Sequence, residues 1–145
     1  MYTGDMALQF VGLIIALTMI DGTFGEVQSI RVFGRLYCGR KPKPWPNMTI
    51  TLWDRDYFSP HDLLDTTTSG KDGFFMVYGE EDEFLAIEPF IEITHNCDLG
   101  YPNNTHPRCW HTDHYDIPPE YVDGALDIKS VHLHMEGIPR KTKCN

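Results

Sequence analysis

The 145-residue sequence has no internal repeat, no low-complexity tract and no long apolar run beyond residue 20. The first two absences exclude a solenoid and a compositionally biased linker. The third leaves nothing after residue 20 that resembles a transmembrane helix, which needs ~20 apolar residues. Positive charge is scarce, with 12 Lys and Arg against 21 Asp and Glu. An acidic chain is a poor partner for nucleic acid, whose binding proteins gather bases against a polyanionic backbone. Catalytic signatures are missing as well. The sequence has no G-x-S-x-G elbow, no phosphate-cradling glycine loop and no H-E-x-x-H zinc helix, so no cofactor is implied.

What is present begins with compartment. Residues 6–20 (MALQFVGLIIALTMI) are apolar apart from Gln9, Gly12 and Thr18, and Thr23 and Gly25 are small residues at the two places a signal peptidase reads. Residues 1–25 therefore read as a secretory signal peptide, although Asp5 stands where a basic residue is usual. Its removal takes Asp5 and Asp21, leaving 19 acids against 12 bases and a formal charge of −7 on residues 26–145. That length makes one domain burying about two thirds of its unfolded surface. Secretion into an oxidising compartment turns Cys38, Cys97, Cys109 and Cys144 into two expected disulfides with three possible connectivities. Asn47-Met48-Thr49 and Asn103-Asn104-Thr105 are N-glycosylation acceptors in the same setting.

Apolar periodicity is close to two wherever it is clear. Ile30, Val32, Gly34, Leu36 and Cys38 alternate with Arg31, Phe33, Arg35 and Tyr37, as a strand with one core face requires. Further strands are expected at residues 48–52, 63–68, 74–78, 89–94, 108–116 and 126–135, the last with a bulge near Lys129 and Ser130, where the apolar parity shifts. Ser69-Gly70-Lys71-Asp72-Gly73 is a turn. The acidic run Glu80 to Glu83 reads with residues 84–87 as a turn or short helix. About seven short strands without a long amphipathic helix predict an antiparallel β-sandwich.

Several landmarks occur together in a fixed order: V-x-G-R-L-x-C at residues 32–38, K-P at Lys41-Pro42, L-W-D-R-D at 52–56 and D-L-L-D at 62–65. They continue with Asp72, Gly73 and Phe75 of a D-G-x-F turn, then Ile87, Pro89, Ile91, Ile93, His95 and Cys97, a second cysteine at Cys109, Ile117-Pro118 with Tyr121-Val122, and a final Cys144. This series resembles the nematode transthyretin-like family of secreted proteins. The resemblance implies a transthyretin-like sandwich, an extracellular location, binding rather than catalysis, and pairing of Cys38 with Cys144 and of Cys97 with Cys109. The related 5-hydroxyisourate hydrolases end in Tyr-Arg-Gly-Ser, whereas this chain ends Lys141-Thr142-Lys143-Cys144-Asn145, so that activity is not expected.

The stretch HNCDLGYPNNTHPRCWHTDH at residues 95–114 offers cysteine and histidine ligands for zinc, but in an oxidising compartment a Cys97–Cys109 disulfide is the expectation, worth about 3 kcal/mol in the chain-entropy model. His132 and His134, two apart on one strand, are the remaining weak metal candidates. His111 and His114, three apart, should point to opposite faces. Asp54, Asp56, Asp62 and Asp65 read as turn carboxylates, without the ordered ligand loop that calcium requires. A Cys38–Cys144 bond would draw Arg35, Arg40, Lys41 and Lys43 toward Arg140, Lys141 and Lys143, with Arg31 on the same face as Arg35. Such a basic patch suits an anionic lipid, a sulfated glycan or an acidic receptor surface. The functional expectation is a secreted protein that engages a cell-surface ligand, in its sharpest form bridging an anionic lipid and a receptor. A carrier of a small hydrophobic ligand and a secreted metal-binding domain are the alternatives.

Overall fold

A computed structural model describes residues 25–83, 85–97, 109–133 and 135–144. Residues 1–24 of the expected signal peptide, the sequon asparagine Asn103 and the metal candidate His134 lie outside the described residues. Among the described residues nine strands form two sheets: β1 (Glu26–Cys38), β2 (Lys43–Pro44), β3 (Thr49–Asp54), β4 (Asp62–Thr68), β5 (Phe74–Glu83), β6 (Pro89–His95), β7 (Cys109–Asp116), β8 (Gly124–His132) and β9 (Arg140–Cys144). A 3-10 turn at Pro119–Tyr121 precedes β8.

In the first sheet β1 is central, with β5 antiparallel on one edge and β8 parallel on the other, while β2 pairs with the end of β1. The second sheet runs β4-β3-β6-β7-β9, antiparallel throughout. The architecture is the expected disulfide-stapled β-sandwich, with β1–β8 as the one parallel pair among the described residues. Alternation on β1, β3 and β6 buries Ile30, Val32, Leu36, Ile50, Leu52, Ile91 and Ile93, and Phe75, Val77 and Leu133 complete the core between the sheets. The bulge falls where the parity shift placed it. Phe33 pairs with Asp127 and Arg35 with Ser130, and Lys129 takes φ +56° with its N–H donating to Asp127 Oδ1. Gly73 closes the β4–β5 turn at φ +76°, where an added Cβ would come 2.4 Å from the Leu36 carbonyl oxygen, so backbone packing as well as conformation demands glycine.

Two sequence expectations change. The acidic residues 80–83 continue β5 instead of forming a turn or helix, because residues 26–29 of β1 pair with them along a long two-stranded ribbon. The disulfides are Cys38–Cys97 and Cys109–Cys144, not the pairing the resemblance implied. Register explains the difference. Strand β9 pairs with β7, which puts Cys144 directly opposite Cys109. Cys38 at the end of β1 and Cys97 just beyond β6 then meet with Cα atoms 5.8 Å apart and both cysteines buried. One bond staples the two sheets together; the other fastens the last strand to its neighbour.

Candidate functional site

Strand β7 alternates Trp110, Thr112 and His114 with His111, Asp113 and Tyr115. Asp113 is fully buried, so the second set faces the core and the first faces outward. Antiparallel pairing with β9 sets Lys143 opposite Trp110 and Lys141 opposite Thr112, and β6 sets Thr94 opposite Thr112. Cross-strand partners share a face, so two ammonium groups, an indole and a pair of threonines meet on the outer surface. Thr94, Trp110, Thr112, Lys141, Thr142 and Lys143 line a shallow groove of about 300 Å³. Trp110 is 39% exposed, and the Thr94 and Thr112 hydroxyls bond each other at 3.1 Å. A flat apolar plate flanked by two cations and hydroxyls suits an anionic ligand with an apolar face.

A buried polar cluster beneath the groove holds β9 in register. Arg140 donates from Nε to Asp113 Oδ1 at 2.5 Å and from Nη2 to Oδ2 at 2.7 Å, and also to the Leu133 carbonyl at 2.8 Å. His95, fully buried, lies 3.0 Å from Asp113 Oδ2 through Nε2. Its Nδ1 accepts the Cys97 N–H at 3.2 Å, so Nε2 is the nitrogen that donates to the carboxylate. Burial opposes ionisation of Asp113, but the Arg140 and His95 hydrogen bonds outweigh it and hold the carboxyl below the ordinary range. Burial, and then the Asp113 charge, push the Tyr115 phenol well above its ordinary value. Sequence reasoning missed this cluster. Its signal was a lone aspartate at an inward strand position, which requires a buried partner.

The eight expected basic residues therefore divide. Arg40, Lys41 and Lys43 are exposed around the turn after Cys38, at the end of the sandwich that carries both disulfides and Lys143. Arg31 and Arg35 project from the outer face of the other sheet, stacked over Tyr78 and Phe74 at 5.4 and 5.6 Å, with Arg35 also paired to Asp72 at 3.2 Å. Arg140 is withdrawn, its side chain 26% exposed and committed to Asp113. The single patch expected from a Cys38–Cys144 bond does not form, because Cys144 bonds elsewhere and Arg140 turns inward.

Asn47 is exposed at φ +60°, its backbone N–H bonded to the Ser69 carbonyl. His132 stacks on Tyr37. Among the described residues no group of three His, Cys, Asp or Glu is placed to hold a metal. His111 and His114 occupy opposite faces, as their spacing predicted: His111 bonds the Thr142 hydroxyl, whereas His114 packs on Phe90 and bonds Asp116. Asp65 accepts backbone N–H groups from Thr66 and Tyr78. Asp54 is buried, accepting the Glu88 N–H through Oδ1 while Oδ2 has no partner. Burial, with Asp56 and Asp62 nearby, raises its pKa despite that bond. No helix among the described residues is long and apolar enough to cross a membrane.

Comparison with known proteins places the chain. The transthyretin-like family model (TTR-52) matches residues 33–118. Transthyretin-like protein 16 of Caenorhabditis elegans is 34% identical over 134 residues, covering 92% of this chain and 96% of that protein. Transthyretin-like protein 5 of the same nematode is 27% identical over 124 residues, covering 83% and 84%. Both are named as transthyretin-like proteins, not as enzymes. Among solved structures, (S)-allantoin synthase aligns with 90% of this chain and 49% of its own at 16% identity and a TM-score of 0.46, too loose a likeness to carry an argument. With the motif order, the two-sheet fold and these matches in agreement, the chain belongs to the transthyretin-like family.

Proposed function

We propose that this is a secreted, extracellular binding protein that engages an anionic cell-surface ligand in the groove of Trp110, Lys141 and Lys143. The observation that carries the reading is the pairing of two outward lysines on β9 with an exposed indole on β7. In a chain with an excess of acids, two cations beside an aromatic plate mark the place where an anion is favoured. A sulfated or carboxylated sugar stacked on the indole and a lipid phosphate held by the ammonium groups present the same chemistry. Arg40, Lys41 and Lys43 at the same end add long-range attraction, and a glycan on exposed Asn47 fits the extracellular setting. In the bridging form of this function, the groove holds the anionic ligand while another surface contacts a receptor.

The test is binding of the secreted, oxidised protein to heparin and to phosphatidylcholine vesicles with and without phosphatidylserine across a salt series. The double variant Lys141→Ser/Lys143→Ser is measured in parallel, with Arg140 retained because it is paired with buried Asp113. The expected result is salt-sensitive binding that falls in the double variant and also in Trp110→Ala. Retention by heparin alone assigns the groove to glycans, and retention by phosphatidylserine vesicles alone assigns it to lipid. Absence of binding to all three, or equal binding by the double variant, overturns the reading.

A further inference from the structure

The opposite end of the same sheet carries a different surface. The loop between β3 and β4 exposes Tyr57 at 72% and Phe58 at 104%, and Leu85, on the loop leading to β6, is 72% exposed. Single exposed apolar side chains are ordinary, but this loop is braced. Arg55 pairs with Asp116 and lies over the Phe90 ring at 5.3 Å, and His61 meets the same ring edge-on at 5.3 Å. Its backbone is tied as well, with the Asp56 N–H donating to His61 Nδ1 at 3.1 Å. The Tyr57 hydroxyl donates to Glu88 Oε2 at 2.7 Å, joining the two loops. Phe90, on the outer side of β6, is only 4% exposed because Trp53, His61, His114 and Arg55 cover it. The chain thus spends a buried aromatic on fastening a loop whose own aromatic tip is left in water.

Charge beside the tip is mainly negative. Asp56 and Asp62 flank it in sequence and Glu88 holds the Tyr57 hydroxyl, while Arg55, the only Lys or Arg within residues 54–62, is folded back onto Asp116 and Phe90. An anionic bilayer would repel these carboxylates. A protein pocket that is apolar at its centre and basic at its rim complements them, since interface cores favour Tyr, Phe and Leu over charge and rims carry complementary charge. We infer that the Tyr57–Phe58 tip is a preformed docking knob for a partner protein presenting an apolar pocket with a basic rim. Preorganisation of the loop lowers the ordering cost of association. This surface is separate from the Trp110 groove and does not depend on what the groove binds.

The experiment selects from a disulfide-cyclised random peptide display library on the secreted, oxidised protein, then measures the affinity of the winners for variants. The expected outcome is enrichment of peptides that combine large apolar side chains with Lys and Arg. Their binding should weaken by about 30-fold in Phe58→Ser, the scale of losing a central aromatic anchor. It should weaken less in Asp62→Asn, with a shallower salt dependence, and stay unchanged in Lys141→Ser/Lys143→Ser. Phe58 touches nothing that holds the fold, so an unchanged thermal transition in Phe58→Ser shows that lost binding is not lost structure. Winners without the basic-apolar pattern, equal affinity for Phe58→Ser, or Phe58-dependent adsorption to phosphatidylcholine vesicles would each overturn the proposal.

Discussion

The two ends of this sandwich are closed by different means. One end is covalent: Cys38–Cys97 joins the sheets, Cys109–Cys144 secures β9, and the exposed residues around them are largely basic. The other end has no disulfide among the described residues and is held by aromatic stacking on Phe90 and by the Arg55–Asp116 pair, amid carboxylates. The difference shows what each end can offer a partner. A covalently fixed end can hold an open groove with little packing of its own, because β9 is kept in place by its bond and by Arg140. A non-covalent end must use its side chains to brace its loops, and only the outermost ones remain for contact.

The largest break in this comparison is removal of the staple between sheets. Replacing Cys38 and Cys97 together by Ser should cost about 4 kcal/mol in the chain-entropy model, given the 59-residue separation. Chemical denaturation of the variant beside the native protein measures it, and peptide mapping of the oxidised protein should recover Cys38 linked to Cys97. Recovery of Cys38 linked to Cys144 would remove the premise of this comparison altogether.

Next in size is the Arg140 anchor. Arg140→Ala leaves Asp113 buried and charged beside His95, and breaking such a pair costs about 3–5 kcal/mol. The quarter exposure of the Arg140 side chain puts the expected loss near the lower figure, about 3 kcal/mol. Lys141 and Lys143, one and three residues further along the same strand, should each change stability by less than about 0.5 kcal/mol on replacement by Ser, as exposed sites do. Equal losses for Arg140→Ala and Lys141→Ser would contradict the inward and outward division of β9.

Acid should separate the two regions again, with opposite signs. Asp113 is held below the ordinary carboxylate value, so its contribution is complete above about pH 4 and disappears as pH falls through the lower folded value. Asp54 is raised, so its protonated form is the one the fold favours. Its contribution is present below the ordinary value and is lost as pH rises through the raised one. Amide exchange followed against pH should show β7 and β9 losing protection below about pH 4. Residues 54–56 and 88 should gain protection earlier in the descent, as pH falls from the raised Asp54 value toward about 4. Parallel loss at both ends would show that Asp54 is not strained by its charge.

Much of this fold was legible because apolar alternation is a local signal. β1, β3 and β6 could be read from period two, the bulge at Lys129 from a parity shift, and the β4–β5 turn from Ser69 to Gly73. Strand β9 was not legible, since Arg-Lys-Thr-Lys-Cys has no apolar residue before its terminal cysteine and becomes a strand only because β7 offers an edge. The disulfide pairing and the fate of Arg140 both follow from that one unseen pairing, so both expectations failed together. Residues 80–83 were missed for a related reason: charge hid a strand whose order comes from β1. The groove was half legible, with Lys141 and Lys143 marked as basic candidates and Trp110 unmarked until its cross-strand register was known.

The smallest effect expected on stability is also the sharpest test of the contrast between ends. Phe58→Ser and Phe90→Ala alter aromatic residues that meet at the same loop, one outside it and one beneath it. Phe58, fully exposed, should leave the thermal midpoint unmoved, because no described contact depends on it. Phe90→Ala removes the ring against which Trp53, His61, His114 and Arg55 pack, and a buried Phe truncated to Ala costs about 3–5 kcal/mol. Here the ring lies on an outer sheet face, where neighbours can settle into the gap, which places the loss at or below the low end of that range. The informative quantity is their difference measured in one denaturation series. A large difference shows that the loop is held from beneath and that its tip is free for a partner. A small difference, with Phe58→Ser itself destabilising, shows that Phe58 packs against the protein in solution, and the knob then becomes part of the loop's own brace.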